Sequence, residues 1–297
     1  MAKPQKITPF LWFDKEARQA AKLYASAFKG SKIKKIQTFK GGPAGTTEIV
    51  SLKLLGQDLT LMSAGPHAKF SQALSFMVGC KKKSEVDALW KKLSPGGTVM
   101  MELGSYPFSD RYGWVQDKFG VSWQLIFHGP KGGKKKITPS FLFVGAQAGK
   151  AEEALKFYAS IFKKSKVGKI QHYGKDAAPN AEGSVMYAPF KLAGQEFSAM
   201  DGGGPHDFSF NEAFSFVVTC KGQKEVDYYW SKLSADPNAG QCGWLTDKFG
   251  VTWQVVPSAL NKLMRDKDKK KVARVMDAFV KMKKFDIKAL KKAAKGK

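Results

Sequence analysis

The ten residues DKFGVSWQLI at 117–126 return as DKFGVTWQVV at 247–256. The match extends on both sides. ITPFLWF at 7–13 meets ITPSFLF at 137–143, and KLYASAFKGSKIKKIQTF at 22–39 meets KFYASIFKKSKVGKIQHY at 156–173. GPH recurs at 65–67 and 204–206, and SFMVGCKKKSEVDALWKKLS at 75–94 meets SFVVTCKGQKEVDYYWSKLS at 215–234. The spacing is that of a whole domain and not the ~20–50 residues of a solenoid repeat. The chain is therefore read as a duplicated domain: 1–130, a linker at 131–136 within the Gly- and Lys-rich GPKGGKKK, 137–257, and a basic helical extension at 258–297.

Each copy shows the same alternation of periods. A strand at 7–13 leads into a helix whose apolar face carries Ala20, Leu23, Tyr24, Ala27 and Phe28. Strands near 33–40, 46–55 and 58–63 follow, the last two joined by a turn at Gly56-Gln57. The pattern restarts with a strand at 73–80, a helix presenting Val86, Leu89, Trp90 and Leu93, and a final strand at 121–127 entered through the DKFG turn. This is β-α-β-β-β twice over, an α+β arrangement in which a curved sheet carries helices on one face. Alternation along the last strand sends Val121, Trp123 and Leu125 under the helices and Ser122, Gln124 and Ile126 to the concave side. Thr252, Gln254 and Val256 repeat that geometry. Asp117 and Asp247, opening the turns, suit side-chain to backbone bonding.

These motifs in this order resemble the vicinal oxygen chelate (glyoxalase and bleomycin-resistance) superfamily, and within it the PhnB-like branch named for 3-demethylubiquinone-9 3-methyltransferase. The resemblance implies tandem glyoxalase-like domains, each of two βαβββ modules forming a curved mixed sheet with a concave cup, plus a C-terminal helical extension. It also implies where a metal would bind in metal-dependent members. A glutamate ligand on the last strand is here Gln124 and Gln254. The first-strand ligand falls at Thr8 or Pro9 and at Thr138 or Pro139, the histidine at Ala73 and Ala213, and the remaining glutamate at Val50 or Ser51 and at Ala188 or Pro189. A neutral amide offers a hard cation much less than a carboxylate does. No cofactor is expected, and a divalent metal stays open.

The glycine clusters KGGPAG (40–45) and DGGGPH (201–206) lack the strand-loop-helix setting of a nucleotide site, which speaks against an adenosyl-donor methyltransferase. The expected ligand is a small apolar or aromatic molecule in the cup, bound by Gln124, Gln254, His67, Trp114, Trp244, Tyr187, Met200 and Cys220. His206 and Cys242 are the candidates for acid–base or nucleophilic work. Each has a plainer reading: His67 and His206 as polar loop residues after Gly-Pro, the cysteines as small buried hydrophobes, the aromatics as core.

The formal charge of +25 is unevenly spread, with 20 basic against 9 acidic residues over 1–133, 15 against 12 over 134–256, and 15 against 4 over 257–297. Such a field attracts polyanions, yet no nucleic-acid module is present, and a solvated surface is the favoured reading. No apolar run is long enough for a membrane span, the start lacks a secretory signal, and three cysteines without metal-ligand spacing suit a reducing compartment. The expectation is a cytoplasmic protein whose copies pack as an intrachain pseudo-dimer, with homodimerisation through the tail open. In the tail, Ser258 is expected to cap a helix, Val272, Val275, Met276, Phe279 and Val280 to form its apolar stripe, and Asp286 to cap a last helix. The tail is expected to dock on the second domain or on a second subunit, the alternative being a basic amphipathic helix for an acidic surface.

Overall fold

The computed structural model describes residues 5–42, 45–130 and 136–296. Residues 131–135 of the expected linker lie outside these, and Lys136 already belongs to a strand. The chain divides into two compact units, one spanning Phe10–Phe214 and the other made of residues up to Pro9 with those from Ser215 onward.

The larger unit takes most of β1 (Ile7–Phe13), followed by α1 (Ala17–Ala27), β2 (Lys32–Gly42), β3 (Gly45–Leu54) and β4 (Gln57–Ser63). β1 runs parallel to β4, while β3 pairs antiparallel with both β4 and β2. The β3–β4 turn is Leu55-Gly56, one residue earlier than expected, and both residues have positive φ (47° and 91°). A two-residue hairpin needs that twist, which glycine supplies without strain. On α1 the inward stripe is Ala17, Ala20, Ala21 and Tyr24, followed by buried Phe28, while Leu23 and Ala27 are only half-buried. The small alanines let the helix sit close to the sheet, and that turns the heavier Leu23 outward.

The same unit then contains β5 (Leu74–Cys80), α2 (Lys83–Leu93), β6 (Thr98–Tyr106), β7 (Ser109–Gln116) and β8 (Ser122–Phe127). It continues with β9 (Lys136–Phe143), α3 (Ala151–Ile161), β10 (Lys166–Val167), β11 (Gln171–His172), β12 (Val185–Leu192) and β13 (Gln195–Asp201). These nine strands make one sheet in the order β10-β12-β13-β9-β5-β8-β7-β6, with β11 also on β12. Its central seam is antiparallel β5–β9, where Ser75 faces Ser140 and Met77 faces Thr138. One module from each repeat thus shares this sheet. The helices cover its convex side, where Trp123 lies 5.0 Å from Tyr24 and 5.4 Å from Phe28 between ring centroids, as the alternation along 121–127 requires.

In the smaller unit β14 (Phe214–Cys220) leads to α4 (Gln223–Leu233), β15 (Trp244–Thr246) and β16 (Thr252–Pro257). β14 is parallel and β15 antiparallel to β16. The start of β1 lies along β14, where Thr219 N–H donates to the Lys6 carbonyl at 3.0 Å. Within the larger unit, Trp12 N–H donates to the Ala213 carbonyl at 2.8 Å.

The tail forms α5 (Ser258–Leu263), α6 (Lys269–Phe279) and α7 (Ile287–Ala294). Ser258 is the first helical residue and Pro257 takes the cap position, a shift of one from the expected cap. Asp286 does cap α7, accepting N–H bonds from Lys288 and Ala289, and Asp268 caps α6 in the same way. The tail packs on α4: Lys284 pairs with Asp227 at 2.6 Å, and Gln223 donates to the Phe285 carbonyl while accepting from Ile287 N–H. No helix among the described residues is long and apolar enough to cross a membrane.

Candidate functional site

On the concave side of the nine-stranded sheet, alternation brings up Ser75, Met77 and Gly79 from β5, and Ser122, Gln124 and Ile126 from β8. From the second repeat it brings Thr138 and Ser140 on β9, with Glu196, Ser198 and Met200 on β13. The middle of this face is filled. Met77, Tyr112 and Ile126 are buried together, with Met101, Tyr106, Trp114, Tyr187 and Met200 packed against them.

Gln124 lies beneath this cluster, only 2% exposed. The Tyr112 hydroxyl donates to its Oε1 at 2.9 Å, and its Nε2 donates to Ser75 Oγ at 2.9 Å. Trp114 Nε1 donates to Ser122 Oγ at 2.7 Å. A buried amide must satisfy both its ends, and Gln124 does so by tying β5, β7 and β8 together. Burial drives the Tyr112 hydroxyl far above the ordinary phenol range, so it stays a neutral donor.

Beside the filled centre lies a cavity of about 540 Å³. Its apolar wall is Met77, Tyr187 and Pro189; the lining also includes Phe190 and Phe197, whose rings turn to the helix side against Phe141, and its polar groups are His128, Thr138, Glu196 and the lysines 136, 166 and 191. Glu196 is ion-paired with Lys136, and Lys191 Nζ stands 3.7 Å from its other oxygen. The hydrogen bond from Lys136 is the main reason the Glu196 carboxyl is held below the ordinary range. Burial, with the Glu196 charge, pushes the Tyr187 hydroxyl up. The His128 imidazole is held below its usual range by partial burial and then by Lys136. His128 fits only because residue 79 is glycine, since a Cβ there would lie 2.5 Å from the imidazole ring.

Of the expected ligand-binding residues, Tyr187 lines this cavity, and Trp114 and Met200 join Tyr187 in the packed cluster. Gln124 is the floor below that cluster. His67 stacks on Trp12 at 4.9 Å in its loop, and His206 Nε2 donates to the Gly203 carbonyl at 3.1 Å in the other GPH loop. Both histidines are exposed and neither lines the cavity. Gln254, Trp244, Cys220 and Cys242 belong to the smaller unit, where Gln254 Nε2 donates to Ser215 Oγ at 3.0 Å. Burial pushes the Cys220 thiol up to about 12, and it also raises Cys242, whose sulfur is 3.7 Å from the carbonyls of Phe279 and Val280. A reactive thiol wants the opposite shift. His128, Gly79 and the three cavity lysines were not singled out from the sequence. The signal was a departure from the repeat: Gly79 and His128 stand where the second copy has Thr219 and Ser258.

The donors present do not fit a divalent metal. Gln124 spends both amide ends on protein partners, and among the described residues no three His, Cys, Asp or Glu side chains converge. DGGGPH leaves β13 for a loop leading to β14, with no helix N-terminus to receive an anion.

The family model described as 3-demethylubiquinone-9 3-methyltransferase matches residues 5–126 and again 135–256. The chain belongs to this family, in two tandem copies. A PhnB protein of Bacillus cereus, described as a 3-demethylubiquinone-9 3-methyltransferase, is 37% identical over 41% of this chain and 99% of its own, with a TM-score of 0.39. A glyoxalase I mutant of Zea mays covers 84% of this chain and 94% of its own at 12% identity and a TM-score of 0.52, a likeness of fold alone. No curated protein matches the chain. The family match and the glyoxalase-like fold agree with the resemblance drawn from the sequence.

Proposed function

We propose that the chain binds a small aromatic or largely apolar molecule, without a divalent metal, in the cavity of the nine-stranded sheet. The observation that carries this reading is the cavity itself: about 540 Å³, walled by Met77, Tyr187 and Pro189 with a few convergent polar groups. That is the composition and size of a small-molecule site. Met77, Gly79 and His128 come from the first repeat and the rest from the second, so the repeats act as an intrachain pseudo-dimer. Binding is favoured over turnover by His206 or Cys242, because the first sits in an exposed loop and the second carries a thiol raised by burial. The free thiols of Cys80, Cys220 and Cys242 suit a cytoplasmic location. The methyltransferase activity in the family's name draws no support from either glycine cluster.

The test is NMR of methionine methyl groups while naphthalene-2-methanol is added. The Met77 methyl is expected to shift in a saturable way, and Met77→Trp, which fills the cavity, to abolish binding while the protein stays folded. A Met77 methyl unmoved by this probe and by a panel of similar aromatics sinks the proposal.

A further inference from the structure

The charge of the cavity wall says more about the ligand. Lys136, Lys166 and Lys191 stand against one carboxylate, Glu196. Lys136 is already in direct ion pair with Glu196, and one cation neutralises it. An excess of two positive charges therefore borders an apolar surface of Met77, Tyr187 and Pro189.

The first repeat treats its equivalent positions differently. There Asp58, at the place of Glu196, meets Lys34 at 2.7 Å and Lys53 at 3.9 Å. The second repeat has Gly168 where the first has Lys34. Gly168 N–H donates to the Pro189 carbonyl at 2.8 Å, and a Cβ at 168 would lie 2.7 Å from that oxygen, so no side chain fits at this point. The charge that Lys34 supplies locally comes instead from Lys136 across the sheet. Lys191 keeps the carboxylate contact of its counterpart Lys53, at 3.7 Å from Glu196, and with Lys166, the counterpart of Lys32, it lines a cavity.

We infer that this cavity selects an aromatic anion, with the ring against Met77 and Tyr187 and the anionic group toward Lys166 and Lys191. The inference rests on the binding reading above and adds the sign of the ligand's charge. An ammonium group opposite a carboxylate in a partly enclosed site makes a charge-assisted hydrogen bond that a neutral hydroxyl cannot match.

The experiment is isothermal titration calorimetry on the full chain with two probes of one shape, naphthalene-2-carboxylate and naphthalene-2-methanol. The carboxylate is expected to bind about tenfold tighter, as for a hydrogen bond to a charged group. That preference should shrink several-fold when salt is raised, because mobile ions screen the lysines. Lys166→Gln and Lys191→Gln should each weaken the carboxylate several-fold more than the alcohol; both side chains are exposed, so folding is not at stake. Equal affinity for the two probes overturns the anion inference and leaves the binding reading standing. A carboxylate preference indifferent to both substitutions overturns the assignment to these lysines. Failure of both probes to bind overturns the binding reading as well.

Discussion

The second halves of the two repeats begin alike and then part. After β5 and α2 the first copy builds the hairpin β6–β7, and Tyr112 on β7 holds Gln124. After β14 and α4 the second copy has only the three-residue β15, and Cys242 occupies the place of Tyr112 with φ of 53°. What β6 does for β7 the tail does there: Cys242 and Gly243 N–H groups donate to the carbonyls of Met282 and Lys283, both at 2.7 Å. Gly243 can only be glycine, since its φ is 80° and a Cβ would lie 2.4 Å from the Phe285 ring. The comparison teaches that an exposed edge is satisfied by whatever chain is at hand, and that losing a hairpin costs little once an appendage replaces it.

The largest effect should come from removing the replacement. Phe285 is 2% exposed, and Phe285→Ala should cost on the order of 3–5 kcal/mol, read as a drop in denaturant midpoint. If it costs under about 1 kcal/mol, the tail is not acting as the missing strand's substitute.

A smaller effect should fall equally on both copies. Asp117 accepts from Phe119 N–H, Val121 N–H and the Trp123 indole, and Asp247 accepts from Phe249, Val251 and Trp253 in the same pattern. An asparagine turns a donor toward one of those donors. Asp117→Asn and Asp247→Asn should each cost about 2 kcal/mol by thermal or urea unfolding. A clear inequality would mean that the shared turn is not equally supported in the two copies.

The next prediction separates the copies. Tyr112→Phe leaves Gln124 Oε1 without its donor and should cost about 1–2 kcal/mol. Cys242→Ala, which loses only long sulfur contacts, should stay within about 1 kcal/mol. Equal costs would show that the tyrosine hydroxyl is not what secures the glutamine.

The smallest effect is on ionisation. Glu196 is held below the ordinary glutamate range mainly by Lys136, so the stability it contributes is present above about pH 4.5 and is lost as pH falls through its lower folded value. NMR titration should place its midpoint below 4.5, and Lys136→Met should move it up. An unmoved midpoint would deny the link that Lys136 makes across β9 and β13.

Much of this was legible in the sequence, because the repeat supplies two independent statements of one pattern. The strand alternation around Trp123 and Gln124, the DKFG turns and the Asp286 cap all follow from local spacing, and local spacing decides them physically. The cavity was not legible. It depends on β5 pairing with β9, a contact between repeats that no window of sequence reports. Agreement between copies does not point to the cavity: His67 and His206 recur and lie outside its lining, while His128, which does not recur, is part of it. The cavity lies where the copies differ, as Gly79 and Gly168 do.

The strand β1 carries a consequence for synthesis. The bond from Lys6 Nζ to the Thr219 carbonyl spans 213 residues, and β1 reaches its neighbour β14 only after everything between has been made. The nine-stranded sheet, by contrast, uses one continuous stretch from β5 to β13 and can close on the ribosome while the start of the chain is still waiting. The order of assembly is thus written into the connectivity: the ligand-sized cavity belongs to the part that can be finished first.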